Sequence, residues 1–165
     1  MQITSAMKMV SAAKLSRAQD AITQMRPYSE KLTQLLQDLS ATLDDDASSK
    51  YAEEREVNNV LIVAVSSNKG LAGAFNTNII KAVKYKAKND YKAKNIDIYT
   101  VGKKANDILK KEYETHKNNN DIYDDLSFEN ASAIAEELMQ LFLAEKYDKF
   151  VHVYPQQNNA GTQVV

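Results

Sequence analysis

The first 43 residues contain no glycine and one proline, Pro27. Within them Leu15, Ala18, Ile22, Met25, Tyr28, Leu32, Leu36, Leu39 and Leu43 recur at spacings of three and four, the rhythm of a continuous apolar stripe on a helix. Ile3, Met7 and Val10 keep the same rhythm but point to a different face, and the phase slips across Ser11, Ala12 and Ala13, where small side chains let another backbone approach. The pattern predicts one long helix over residues 1–43. At ~1.5 Å per residue it would reach roughly 65 Å, more than a compact domain of this size can cover. Part of it must project or pair with something else. Burying such side chains is worth ~1.5–3 kcal/mol apiece, and no second helix of that length is legible in the chain, so the stripe implies a partner. Pro27 lacks a backbone donor and crowds the carbonyl of Thr23, so a kink or local break is expected there.

Residues 44–56 are acidic and polar without periodicity, which reads as a linker and a domain boundary. Beyond it, residues 57–165 alternate. The run Val60-Leu-Ile-Val-Ala-Val65 is wholly apolar and mostly β-branched, as in a strand covered on both faces. Gly70 and Gly73 follow, then a helix carrying Phe75, Ile79, Ile80, Val83 and Ala87 on one side. Ile96–Val101 reads as a second strand, and Ala105, Ile108 and Leu109 mark a short helix. Ile122 and Tyr123 suggest a weak strand; Ile134, Leu138, Leu141 and Phe142 an amphipathic helix; Phe150–Tyr154 a last strand. Alternation of this kind implies a parallel sheet with right-handed crossovers. The fold class is α/β: a small, mostly parallel, Rossmann-like sheet with flanking helices, attached to the long N-terminal helix. Gly161-Thr-Gln-Val-Val165 reads as the start of another extended segment.

Composition removes several functions. Lysine and arginine number 21 against 22 aspartates and glutamates, so the chain lacks the cationic surplus of a general nucleic-acid binder. With no cysteine, disulfides, thiolate metal sites and thiol nucleophiles are excluded. Val60–Val65 is the longest apolar run and far too short to cross a bilayer, and Lys8, Lys14 and Arg17 interrupt the N-terminus before a signal-peptide core can form. These features point to a soluble, intracellular chain, one that a membrane-associated assembly could still hold.

Chemistry-bearing patterns are few. Ser66-Ser-Asn-Lys-Gly70-Leu-Ala-Gly73 lies between a strand and a helix, where α/β proteins often hold phosphates, but it fits neither the P-loop nor G-x-G-x-x-G. A tight turn whose glycines pack helix against strand is the plainer reading; a small nucleotide-binding domain or enzyme is the alternative. Ser66 and Ser67 are conceivable nucleophiles without the G-x-S-x-G elbow. Neither His116 nor His152 has a ligand partner close in sequence, and His152 reads as a partly buried strand residue. Glu136 and Glu137 fall on the polar side of their helix, and Asp44–Asp46 form a charge run. Lys81, Lys84, Lys88 and Lys92 share one helical face, with Tyr85 and Tyr91 nearby; such a face could touch phosphate or an acidic protein surface, though a solvated face opposite the apolar one suffices. No catalytic residue, cofactor or metal site emerges.

Two stretches carry a resemblance. ITSAMKMVSAAKLSRAQ, Ile3–Gln19, resembles the N-terminal helix of the gamma-subunit family of F-type ATP synthases, and SSNKGLAGAFNTNI, Ser66–Ile79, is similar to that family's loop after its first strand. Arg26-Pro27-Tyr28 and the order of elements also fit, so the resemblance spans essentially the whole chain. Where the family loop usually carries Asp, Arg and Cys, this chain has Asn68, Lys69 and Ala72, which keeps the glycine framework but not its charges. Family members begin upstream of Met1 and continue past Val165 into a second long helix, so truncation at both ends is expected. The cysteine-bearing insert of chloroplast relatives is absent, which suits a bacterial protein.

The resemblance implies a mechanical role with no cofactor. Residues 1–43 would form half of an antiparallel coiled-coil shaft inside a ring of alpha and beta subunits that do the chemistry. The α/β domain would sit outside, near the membrane c-ring and the epsilon subunit, peripheral on the cytoplasmic face of the bacterial inner membrane. By position, Met7, Lys8, Val10 and Lys14 would face the catalytic ring, and Arg26, Pro27 and Tyr28 the membrane ring.

Overall fold

The computed structural model describes residues 2–42, 51, 55–159 and 162–164. Two compact units divide the chain, Met1–Ser49 and Lys50–Val165. Leu43 and most of the acidic stretch read as a linker lie outside the described residues.

The first unit is one helix, α1 (Gln2–Thr42, 41 residues), about 60 Å long at the standard rise. Of the kink or local break expected at Pro27, the break is not there: helical structure continues through it. One missing donor removes a single bond from a ladder that continues on either side, and Pro27 lies on an exposed surface where its ring meets no packing constraint. Thr23 and Thr33 turn their hydroxyls back along the helix and donate to the carbonyls of Gln19 and Ser29 (both 2.9 Å).

The second unit is the α/β domain. Its elements are β1 (Asn59–Val65), α2 (Phe75–Tyr85, continued by one π turn), β2 (Asn95–Val101), α3 (Lys103–Leu109), β3 (Glu114–Asn119), α4 (Phe128–Leu143) and β4 (Lys149–Val153). The strands form one parallel sheet in the order β3-β2-β1-β4. A hairpin of β5 (Gln156–Asn159) and β6 (Thr162–Val164) follows. The extended segment expected over 161–165 is thus the hairpin's second strand where it is described; Gly161 and Val165 lie outside the described residues.

Strand alternation sorts β1 into two cores. Val60, Ile62 and Ala64 meet Ile79, Val83 and Ala87 from α2 with Ala105 and Leu109 from α3. Leu61 and Val63, one residue out of phase, join Tyr99, Val101 and Leu138 against α4 on the opposite side. A strand buried on both faces must be apolar throughout, which is why β1 carries no polar position from Val60 to Val65.

One strand differs from expectation. Ile122 and Tyr123 lie in a 3-10 turn, and the third strand is Glu114–Asn119, ETHKNN. It forms the sheet's outer edge beyond β2, where polar side chains discourage pairing with another chain, so it has no apolar signature to read. Its register with β2 shifts between Ile98 and Tyr99: Ile98 pairs with Thr115 and Tyr99 with Lys117, which leaves His116 as the extra residue of a bulge.

Candidate interaction surfaces

On α1 the apolar residues whose burial is described stand in solvent. Met7, Val10 and Tyr28 are 65%, 56% and 64% exposed, and Leu15, Ile22, Met25, Leu32, Leu35 and Leu36 are exposed as well. Lys8, Lys14, Arg26 and Pro27 share this exposure. Every residue read as a partner contact is therefore on an accessible helix surface. An apolar surface of this length on a single helix is the physical signature of a missing partner.

The loop after β1 is tied down by its own side chains. Ser66 is buried; its Oγ accepts from the Ala105 N–H (3.0 Å) and its carbonyl from the Tyr123 hydroxyl (2.7 Å). Asn76 Oδ1 accepts from the Ser67 N–H (3.0 Å), and the Ser67 hydroxyl donates to the Lys69 carbonyl (2.6 Å). Asn68 bridges the loop to the neighbouring connections, donating to the Asn120 carbonyl (2.8 Å) and accepting from the Lys103 N–H (2.9 Å). Both serines are thus engaged in holding the loop, and among the described residues no histidine or carboxylate bonds to either hydroxyl. The glycines do not pack helix against strand as expected: Gly70 and Gly73 are exposed, and a Cβ on Gly73 would meet nothing within 4 Å. Gly73 sits at a φ of +54°, a left-handed conformation that glycine adopts without a Cβ penalty. The close packing falls to Gly102, where a Cβ would stand 2.1 Å from the Ser66 carbonyl oxygen at a φ of +102°.

The bulge at His116 has a chemical consequence. It turns His116 and Lys117, consecutive residues, toward the α4 side. Lys117 Nζ donates to Glu137 Oε2 (2.8 Å), as does the buried Tyr99 hydroxyl (2.9 Å), which in turn accepts from Asn119. His116 stacks on the Tyr99 ring (6.3 Å between centroids) and meets Tyr147 edge-on. Tyr147 donates to Asp97 (2.6 Å), and Lys146 Nζ lies 3.2 Å from His116 Nδ1. Glu137 is therefore a partner to a buried phenol rather than a free surface carboxylate. Burial alone would raise its carboxyl, but the bonds from Lys117 and Tyr99 outweigh that and hold it below the usual range. Burial and the adjacent Lys146 ammonium hold the His116 imidazole below its usual value.

Beside β4, a groove of about 700 Å³ runs along α4, lined by Leu138, Met139, Phe142 and Phe150 with Arg55 and His152 at its margin. Arg55 lies over the Phe142 ring (4.5 Å to its centre) and donates to the Phe142 carbonyl (3.0 Å). His152 is on β4 as read, but it is exposed rather than partly buried. Among the described residues no cluster of His, Cys, Asp and Glu is placed to hold a metal ion, and no helix is long and apolar enough to cross a membrane.

A family model described as ATP synthase matches residues 1–165. Over its whole length the chain is 90% identical to the ATP synthase gamma chain of Christiangramia forsetii and spans 58% of that protein. It is 54% identical to the gamma chain of Flavobacterium johnsoniae, of which it spans 57%. Among solved structures, the rotor of the Euglena gracilis mitochondrial ATP synthase matches 98% of this chain and 54% of its own at a TM-score of 0.60 and 24% identity, a likeness of fold. The chain spans little more than half the length of the curated relatives it matches. The chain belongs to the ATP synthase family that this model describes, and the relatives it matches at 90% and 54% identity are gamma chains.

Proposed function

We propose that this chain serves in the central rotor stalk of an F-type ATP synthase and couples ion-driven rotation of the membrane ring to ATP synthesis or hydrolysis in the alpha/beta ring. The observation that carries the reading is the 90% identity to a gamma chain across all 165 residues. The exposed stripe of α1 agrees with it, since a shaft helix must offer one face to a second helix and its remaining surface to a surrounding ring. On this reading residues 1–43 are the shaft, 44–56 a linker and 57–165 the domain outside the ring. Met7, Lys8, Val10 and Lys14 face the catalytic subunits, and Arg26, Pro27 and Tyr28 face the membrane c-ring. The epsilon subunit is a further partner. This chain would be peripheral on the cytoplasmic face of the bacterial inner membrane, held there through the complex, and would do no chemistry itself; the structural engagement of Ser66 and Ser67 supports that division of labour.

The assembled complex tests the reading. Purified through this subunit from its own membranes, it should contain one copy with three each of two larger nucleotide-binding subunits by native mass analysis. Arg26→Glu combined with Tyr28→Ala should loosen the foot of the shaft, so that ATP hydrolysis outlasts proton pumping. Recovery of the subunit alone under conditions that keep other membrane complexes intact would refute the assignment. Unchanged pumping at full assembly would remove Arg26 and Tyr28 from the ring contact.

A further inference from the structure

A net charge of −1 conceals a strong separation of charge within the α/β domain. Between Phe75 and Lys111 there are ten lysines and three acidic residues; between Asp121 and Asp148 there are eight acidic residues and one lysine. The fold sends the helices of these stretches to opposite sides: α2 and α3 cover one face of the sheet, and α4, with Glu129, Glu136 and Glu137, the other. With the sheet between them the helix layers lie roughly 20 Å apart, for layers about 10 Å thick. That exceeds the ~8 Å screening length at physiological ionic strength, so the acidic face does not neutralise the basic one for an approaching partner.

We propose that the α2–α3 face docks on an anionic membrane surface, with lipid phosphate headgroups as the ligand. Lys81 on α2, Lys88 in its π turn, Lys103 at the start of α3, and Lys92, Lys110 and Lys111 in the turns that follow these helices are all exposed. Internal relief is slight: Lys84 pairs with Glu112, and Lys86 lies 3.6 Å from Asp90. None of the ten cations is arginine. The arginine fork suits fixed, bidentate recognition of a carboxylate or phosphate, whereas flexible ammonium groups attract a diffuse anionic surface without setting a register. That favours headgroups over a structured acidic protein or a nucleic acid. Tyr85, 64% exposed among these lysines, and Ile108, 40% exposed on α3, supply the amphipathic ring and aliphatic contact that a headgroup boundary accepts.

The inference does not rest on the stalk assignment, and its test reads this face alone. The 165-residue chain is sedimented with vesicles of phosphatidylcholine, or of equal parts phosphatidylcholine and phosphatidylglycerol, at low and high salt. The stripe of α1 can itself bind lipid, so two variants separate the sources: Lys81→Glu/Lys88→Glu/Lys110→Glu/Lys111→Glu on the proposed face, and Lys8→Glu/Lys14→Glu/Lys31→Glu on α1. The expected result is anionic-vesicle binding that falls with salt and drops about tenfold or more in the first variant, while the second keeps the salt-dependent part. Replacement of the same four lysines by glutamine should give a smaller loss in the same direction, and thermal unfolding of both face variants checks that the domain remains folded. Equal binding by the first variant and the parent overturns the proposal. So does binding that ignores salt and headgroup charge, or a preference for a single-stranded RNA homopolymer over anionic vesicles.

Discussion

The two units of this molecule treat the same kind of residue in opposite ways. In the α/β domain, leucine, isoleucine and valine at strand and helix positions vanish into two cores: Leu61, Ile62, Ile79, Ile98 and Leu109 are wholly buried. In α1, leucines with equally regular spacing remain in water: Leu32, Leu35 and Leu36 are 45%, 48% and 57% exposed. Periodicity says that a face is meant to be covered, but only topology decides whether the same chain covers it. The domain closes its pattern through crossovers that return each helix to the sheet, whereas α1 is the one element of its unit among the described residues. Stability in the domain is therefore internal, and that of the α1 stripe awaits a partner.

The sharpest way to break the domain while sparing α1 is Gly102→Ala. The new methyl would stand 2.1 Å from the Ser66 carbonyl oxygen, at a φ that L residues rarely adopt. Neither backbone can yield without disturbing β1 or the start of α3, so a loss of about 4 kcal/mol or more is expected. Urea unfolding followed by tyrosine fluorescence should show the domain transition lost or moved far down. Hydrogen exchange along α1 should not change. Near-parental domain stability would mean that the approach at Gly102 is not a real constraint.

A paired substitution sharpens the contrast between leucines. Leu109→Ala opens a cavity among Val60, Val83 and Ala105 and should cost ~2–5 kcal/mol. Leu36→Ala removes a comparable side chain from an exposed surface and should alter the isolated chain by no more than ~0.5 kcal/mol. Chemical denaturation of both variants gives the comparison directly. In the assembled complex the Leu36 effect should grow; equal costs in the isolated chain would show that α1 is already covered there.

The elements carrying a core-facing pattern were legible from sequence: α1, β1, α2, β2, α4 and β4 all announce themselves by apolar spacing. β3 did not, because an edge strand protects itself with polar residues and so sheds the pattern that identifies strands. Glycine misleads in sequence for a related reason. Gly70 and Gly73 drew notice by sitting in a recognisable motif, yet the glycine pressed against another backbone is Gly102, whose neighbour Ser66 is distant in sequence. The charge sorting could have been found by counting along the chain, but its meaning depends on which helices share a side of the sheet. Partner residues on α1 were placed through family resemblance, since exposure along the helix distinguishes none of them from its neighbours.

The smallest effect expected is a response to acid that belongs to the domain alone, as both histidines, His116 and His152, lie there. Around His116 are Lys146 from the lead into β4, Lys117 from β3, Asp97 and Tyr99 from β2, Glu137 from α4, and Tyr147. Asp97 and Glu137 favour the imidazolium, but burial, Lys146 and Lys117 prevail and depress its pKa. With Nδ1 unprotonated, the ring accepts from Lys146 and leaves the Tyr147 proton to Asp97. Protonation removes that acceptor and sets a cation against an ammonium. Because the folded pKa lies below the unfolded one, the unfolded chain binds the proton more readily. The contribution is complete above the unfolded value, about 6.5, and is lost as pH falls below it toward the folded value. Thermal unfolding should thus fall between pH 7.5 and 5.5, and His116→Gln should flatten part of that fall. His152, open to solvent as a residue but with its ring partly desolvated by its neighbours, is also depressed and should supply a smaller share of the same sign. An unchanged pH profile in His116→Gln would place the acid sensitivity elsewhere, and an equal response in the hydrogen exchange of α1 would show that the two units do not lose stability independently.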